Sequence, residues 1–78
     1  MNLLERYAQI FSECFKVEVD QVETLEYQGN IHWDSVGHMT LIAMLEDAFD
    51  IMMDTDDIID FSSYEKGKEI LKKYDVEL

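Results

Sequence analysis

An aspartate, a serine and a histidine lie close together near the middle of the chain. Asp34 precedes Ser35 directly, and His38 follows one helical turn later. These are the residue types of a hydrolytic triad, in which a base contacts the serine and an acid lies behind the base. The spacing argues against a triad because the acid comes before the serine. We therefore expect no catalytic residue in this segment.

Ser35 has two other uses. The apolar periodicity predicts a helix from Ser35 to about Phe49. A residue at the beginning of a helix lies beside backbone N–H groups that lack an intrahelical partner and carry the positive end of the helix dipole. A hydroxyl at that point suits a phosphate. The alternative is that Asp34 or Ser35 serves only as the N-cap, which is the commoner use of such residues.

The composition is strongly acidic. The 78 residues include 18 Asp and Glu but 6 Lys and Arg, for a net charge of −12. Nucleic acid is not expected as a ligand, because neutralising its phosphates requires cations. Partners should present basic surfaces, with fast and salt-sensitive association. The acidity is also consistent with a role in solubility alone.

Other site chemistries find little support. The single cysteine, Cys14, excludes an internal disulfide, and Cys and His do not cluster at metal-ligand spacings. The aspartates between positions 54 and 60 do not match a calcium loop, because Ile58 and Ile59 interrupt the pattern. No metal site is predicted. Nothing resembles a signal peptide or a membrane span, so we expect a cytoplasmic protein with one domain over residues 1–78.

The pattern of apolar residues predicts helices joined by one long loop. The first amphipathic helix should cover Leu3–Phe15, with Cys14 as a small core residue on its apolar face. Residues 16–33 lose the helical period and should form a loop pinned over the core by its apolar side chains. Predicted helices after Phe49 are one or two turns within residues 54–61 and a last helix from Tyr64 to about Tyr74.

Two helix starts carry cap signals. Thr55 is the expected cap of the short helix, and Ser62 with Glu65 forms a capping-box pattern before the last helix. The predicted fold is all-α: a small antiparallel four-helix bundle of three main helices and one short helix, with the long loop between the first two. The helix after Ser35 has two apolar stripes. One should enter the core, and the other either belongs to the core as well or lines a cavity or forms a docking surface.

With these features the chain resembles an acyl carrier protein. The resemblance covers nearly the whole length: the first amphipathic helix, the long loop, Asp34-Ser35-Val36 at the start of the second helix, and the run 41–50. It implies that Ser35 is esterified by 4′-phosphopantetheine, donated from coenzyme A by a phosphopantetheinyl transferase. The arm's thiol would hold acyl groups as thioesters, and the protein, a monomer without catalysis of its own, would present them to partner enzymes.

The resemblance also implies roles for other residues. Asp34 and Val36 would flank the attachment site, and basic patches of acyl-loading, synthase or transferase enzymes would dock on the second and third helices. The implied docking residues are Val36, Met39, Glu46, Asp47, Asp56 and Asp57. A sheltered acyl chain would lie near Leu41, Leu45, Ile58, Phe61 and Ile70, which are also ordinary core positions.

Several positions depart from the family pattern. Val36 replaces the usual leucine, while Gly37 and Thr40 stand where fatty-acid carriers often have acids. Gly37 also lowers helix propensity by ~1 kcal/mol relative to Ala. These departures favour a specialised lipid, polyketide or secondary-metabolite pathway as much as fatty acid synthesis. The alternatives are a peptidyl or aminoacyl carrier, or an unmodified acidic helical adaptor or DNA-mimicking inhibitor that binds basic proteins.

Overall fold

The chain folds into helices and connecting loops. The computed structural model describes residues 2–78. Its elements are α1 (Leu3–Phe15), a 3₁₀ helix (Val19–Thr24), α2 (Ser35–Phe49), α3 (Thr55–Asp60) and α4 (Tyr64–Lys72). Residues 2–78 contain no β-strand, and their one isolated β-bridge joins Glu26 to Ser63. The predicted all-α class is confirmed. Across this part of the chain, no helix combines the length and the apolar character needed to cross a membrane.

The helix α1 begins and ends where the sequence predicts. The Asn2 side chain accepts a hydrogen bond from the Glu5 N–H at the N-terminus, and Lys16 ends the helix in the left-handed conformation with φ 59°. Its apolar face is buried, with Tyr7 and Phe11 fully inaccessible to solvent. The Cys14 side chain is half-buried and packs against the core, as expected.

A cluster of aromatic rings forms the centre of the core. Phe11 lies edge-on to Trp33, with ring centroids 5.6 Å apart, and Phe15 stacks on Trp33 at 4.7 Å. The Tyr7 hydroxyl donates to the Tyr64 carbonyl at 2.7 Å. Burial raises the pKa of Tyr7 far above its usual range, with smaller contributions from Tyr64 and Glu65.

The segment between α1 and α2 differs in part from the predicted loop. Residues 19–24 form a 3₁₀ helix that packs between α1 and α4. Val22 and Leu25 are buried, as is Trp33 at the end of the segment, so the segment is pinned over the core as predicted. A 3₁₀ helix this short has too few side chains to show a period in the sequence.

Both predicted caps near α3 and α4 are displaced by one residue. Asp54, not Thr55, occupies the N-cap position of α3. Ser63, not Ser62, caps α4, and its hydroxyl accepts from the Lys66 N–H at 3.0 Å. The shift at α4 has a tertiary cause: the Ser62 carbonyl accepts from the Tyr27 N–H at 2.9 Å, which keeps the backbone extended.

The last helix ends at Lys72, two residues before the predicted end. A side chain at Gly67 would overlap the Tyr7 hydroxyl and the Phe61 ring. Glycine at this position therefore allows these two aromatic side chains to pack directly against the middle of α4.

Candidate functional site

Ser35 is the first residue of α2, and the residue before it supplies the cap. Asp34 Oδ1 accepts a hydrogen bond from the Gly37 N–H at 2.8 Å, and the Asp34 carbonyl accepts from the His38 N–H at 2.8 Å. Asp34 is thus the N-cap, which decides between the two cap candidates. The Ser35 side chain has no capping role.

The Ser35 hydroxyl is exposed at the positive end of α2. Its one side-chain partner within residues 2–78 is the hydroxyl of Tyr27, with 3.4 Å between the oxygens. In the same part of the chain, the backbone N–H groups of Ser35 and Val36 have no hydrogen-bond partner. A hydroxyl beside two N–H donors can carry an anionic group whose oxygens those donors bind.

His38 is engaged away from Ser35. The Trp33 indole N–H donates to His38 Nδ1 at 2.9 Å. Because an indole N–H only donates, we assign the ring proton to Nε2, which donates to the Ile58 carbonyl at 2.7 Å. Both ring nitrogens are occupied and neither contacts Ser35. Asp34 contacts Gly37 instead of the imidazole, so the three side chains form no hydrogen-bonded triad.

Gly37 occupies a position at which a side chain does not fit. A Cβ atom there would overlap the carbonyl oxygen of His32. The loop therefore passes directly against the first turn of α2, and only glycine permits this contact. The Cys14 thiol of α1 donates to the Gly37 carbonyl at 3.8 Å. Burial raises the pKa of the Cys14 thiol, an effect partly offset by Lys16.

Two surface concavities meet at Ser35. The first, called here the Ser35 pocket, has a volume of about 360 Å³ and lies between α2 and α3. The residues that line it are Tyr27, Ser35, His38, Met39, Ile58, Ile59, Phe61 and Ser62. The second, called here the outer depression, is a more open surface along α2. Its lining residues are Ser35, Val36, Met39, Thr40, Ala43, Met44 and Asp47.

The residues suggested for an acyl pocket divide into two groups. Ile58 and Phe61 line the Ser35 pocket. Leu41 and Leu45 are fully buried and Ile70 is 2% exposed, so these three form part of the packed core and do not line the pocket. Their alternative role as ordinary core residues is the one that the structure supports.

Three of the suggested docking residues surround the outer depression. Val36 and Met39 are 76% and 55% exposed, and Asp47 is exposed beside them. Glu46 is half-buried, and its carboxylate accepts from the Met53 N–H at 2.9 Å, which fixes the connection to α3. The surface around Ser35 is therefore largely apolar, with Asp47 as its acid along α2.

The third helix contributes two exposed acids, Asp56, which was suggested for docking, and Asp60. Asp57, also suggested for docking, is 7% exposed and is engaged within the protein. Its carboxylate accepts from Lys73 Nζ at 2.8 Å and from the Tyr74 hydroxyl at 2.5 Å. The hydrogen bond from Lys73 and the one from Tyr74 hold the pKa of Asp57 below its usual value. Asp57 thus joins α3 to the residues that follow α4.

Tyr27 and Ile59 are site residues that the sequence did not indicate. Tyr27 lies in the loop eight residues before Ser35, and Ile59 belongs to α3. Neither belongs to the helix that begins at Ser35, so only the tertiary fold brings them to the site. His38 and Met39, by contrast, follow Ser35 at the three- and four-residue steps that place side chains on one face of a helix.

Comparisons with known proteins add no assignment: no protein-family model and no curated protein matches the sequence, and no solved structure matches the fold. Within residues 2–78, no group of three or more His, Cys, Asp or Glu side chains is arranged to hold a metal ion.

Proposed function

We propose that this protein is an acyl carrier that holds acyl groups as thioesters on a 4′-phosphopantetheine arm attached to Ser35. The observation that carries the proposal is that the cap of α2 and the exposed hydroxyl at its start belong to two different residues. Asp34 caps the helix, so the exposed Ser35 hydroxyl is free for modification. The resemblance of the Asp34-Ser35-Val36 segment and of the surrounding elements to acyl carrier proteins supports the same conclusion.

Loading in this proposal is a phosphoryl transfer from coenzyme A. Ser35 Oγ attacks the phosphorus atom next to pantetheine, and an Oγ–P bond forms. The bond from that phosphorus to adenosine 3′,5′-bisphosphate breaks, and the hydroxyl proton passes to a base on the transferase. The N–H groups of Ser35 and Val36, which have no partner within residues 2–78, would donate to the phosphodiester oxygens.

The reactivity then belongs to the arm and not to the protein. Its terminal thiol holds the acyl group, and the tether raises the effective concentration of that group at a docked enzyme. No side chain of this chain needs to act as a catalyst. The Ser35 pocket presents apolar side chains from Met39, Ile58, Ile59 and Phe61, which suit the apolar part of a cargo.

The proposal includes partners, location and bundle arrangement. A phosphopantetheinyl transferase and acyl-loading, synthase or transferase enzymes with basic patches would dock at Asp47 and Asp56. The net charge of −12 supports electrostatic attraction of such partners. The antiparallel arrangement of four helices, the monomeric state and the cytoplasmic location follow from the resemblance.

The test is the mass of the intact protein after incubation with coenzyme A and a phosphopantetheinyl transferase. Wild type should gain the mass of one arm, and Ser35→Ala should gain none. Ser62→Ala is the matched control, because it removes another exposed hydroxyl from the Ser35 pocket and should still be loaded. If several transferases leave the wild type unmodified, the acidic adaptor or DNA mimic becomes the better account.

Cargo separates the acyl carrier from the peptidyl or aminoacyl carrier. Expression beside the native neighbouring genes and intact mass measurement would report the group on the arm. An acyl thioester is expected, and an aminoacyl thioester would favour the alternative.

A further inference from the structure

A tyrosine from the loop lies directly against Ser35. Tyr27 Oη is 3.4 Å from Ser35 Oγ. The Tyr27 ring packs edge-on against His38, with centroids 5.4 Å apart, and the residue is 38% exposed. The Tyr27 ring is therefore held by its contact with His38, and its hydroxyl lies beside the Ser35 hydroxyl at the surface.

The backbone on both sides of Tyr27 is held in place. The Tyr27 N–H donates to the Ser62 carbonyl at 2.9 Å, and the Gln28 N–H donates to the Trp33 carbonyl at 2.9 Å. The Gly29 N–H closes a turn onto Glu26 at 2.9 Å, with Gln28 at φ 66°. These bonds connect Tyr27 to the segment before α2 and to the segment before α4, so the position of the phenol is set by the fold.

We propose that Tyr27 is a positioning residue for the arm: its hydroxyl donates to a free oxygen of the phosphodiester on Ser35 and directs the arm into the Ser35 pocket. This inference rests on the proposed function, since it requires a phosphodiester at Ser35. The free oxygens of that group lie two bonds beyond Oγ, through the phosphorus atom, within reach of a phenol already 3.4 Å from Oγ. A hydrogen bond to an anionic oxygen is about twice as strong as one between neutral groups.

The direction of the arm follows from what lies on each side of Ser35. Tyr27 contacts Ser35 on the side of the Ser35 pocket. On the other side, the hydroxyl of the outer depression belongs to Thr40, which already donates to the Val36 carbonyl at 3.1 Å. Neither concavity is lined by Lys or Arg. A phosphodiester bound by Tyr27 places the arm over Ile59 and leaves the outer depression open to a partner enzyme.

The experiment compares the arm in loaded wild type, Tyr27→Phe and Thr24→Ala. Tyr27→Phe keeps the ring against His38 and removes only the hydroxyl, while Thr24→Ala removes an exposed hydroxyl that lies outside both concavities. Intact mass first shows whether each protein carries the arm, and thermal unfolding shows whether each is equally folded. Phosphorus NMR then reports the environment of the phosphodiester. Proton nuclear Overhauser effects report whether the arm lies against Ile59 or against Val36 and Ala43.

In wild type and Thr24→Ala, the arm protons should contact Ile59. In Tyr27→Phe, the phosphorus resonance should shift and the contacts to Ile59 should be lost while the unfolding midpoint is retained. An unchanged phosphorus shift with intact Ile59 contacts in Tyr27→Phe would overturn the role of Tyr27 alone, as would a wild-type arm that lies against Val36 and Ala43. A wild type that accepts no arm would instead overturn the proposed function, and this inference with it.

Discussion

The indole N–H of Trp33 donates to His38 Nδ1 at 2.9 Å, and this bond joins the end of the long loop to the first turn of α2. The opposite ring nitrogen donates to the Ile58 carbonyl at 2.7 Å in α3. One imidazole thus connects three segments that enclose the Ser35 pocket. Trp33 itself is fully buried, so the bond also satisfies an indole N–H that has no access to water.

Replacement of His38 should therefore destabilise the protein through two lost hydrogen bonds. His38→Phe leaves the buried Trp33 N–H without a partner, at a cost of about 1–3 kcal/mol for an unsatisfied buried group. The Ile58 carbonyl loses its bond from His38 and keeps the one from the Phe61 N–H at 3.4 Å. The measurement is the free energy of unfolding from denaturant titration. His32→Phe is the matched control because His32 is exposed and its side chain makes no hydrogen bond in the described part of the chain. Equal stabilities of the two variants would contradict this role for His38.

Gly37→Ala should lower stability although alanine is the better helix former. Propensity alone favours alanine by ~1 kcal/mol, but the added Cβ overlaps the His32 carbonyl oxygen. The backbone must shift, because the added Cβ atom meets a main-chain carbonyl oxygen and not the end of a flexible side chain. Thr40→Ala is the matched control on the exposed face of α2, where higher propensity should maintain or raise stability. A Gly37→Ala protein with a higher unfolding midpoint would show that the loop does not press on α2.

The ion pair between Asp57 and Lys73 should make the free energy of unfolding fall as the pH is lowered. The pKa of Asp57 is lowered in the folded state, chiefly by Lys73, so its ionised form is favoured by folding. The contribution is complete above the ordinary carboxyl pKa of about 3.9. It is lost as the pH falls from there through the lowered pKa of the folded state.

Unfolding free energies measured from pH 6 to pH 2 (roughly the range in which carboxylates titrate) test this contribution. Asp57→Asn should be less stable than wild type at pH 6 and should lose less stability on acidification. Asp56→Asn changes the neighbouring exposed carboxylate and should follow wild type. Parallel curves for wild type and Asp57→Asn would reject the ion pair as a source of acid sensitivity.

Asp47 should contribute to recognition of the transferase, and its replacement tests this without disturbing the fold as a replacement of Glu46 would. Glu46 also holds the Met53 N–H, so its replacement disturbs the connection to α3, whereas Asp47 is exposed in the outer depression. Asp47→Lys should slow loading by the transferase and leave the helical circular dichroism unchanged. Glu69→Lys makes the same change in net charge on α4 and should load at the wild-type rate. If the two variants load equally, net charge and not this surface governs recognition.

The sequence predicted the elements whose signals are local. The bounds of α1 and α2 agree with the structure because each helix has an apolar period and a polar cap beside it. The cap of α4 is displaced by one residue because the Ser62 carbonyl is paired with the Tyr27 N–H, and this pairing spans distant parts of the chain. The internal role of Asp57 depends on Lys73 and Tyr74 in the same way.

The residues of the candidate site also differ in whether their signals are local in the sequence or depend on tertiary contacts. Ser35 was identified because Asp34, Val36 and the start of the helix are its neighbours in sequence. The position of Tyr27 at the site depends on a turn with a positive φ at Gln28. The position of Ile59 depends on the placement of α3 against α2. Neither relationship leaves a periodic or spacing signal, so the shape of the Ser35 pocket required the folded structure.

The most direct test of the central claim locates the modification on the chain. Wild type treated with coenzyme A and a phosphopantetheinyl transferase should be digested, and the peptides fragmented in a mass spectrometer. One phosphopantetheine is expected on the peptide that contains Ser35, with the fragment ions assigning it to that hydroxyl. An unmodified Ser35 peptide, or an arm on Ser62 or Ser63 instead, would contradict the account.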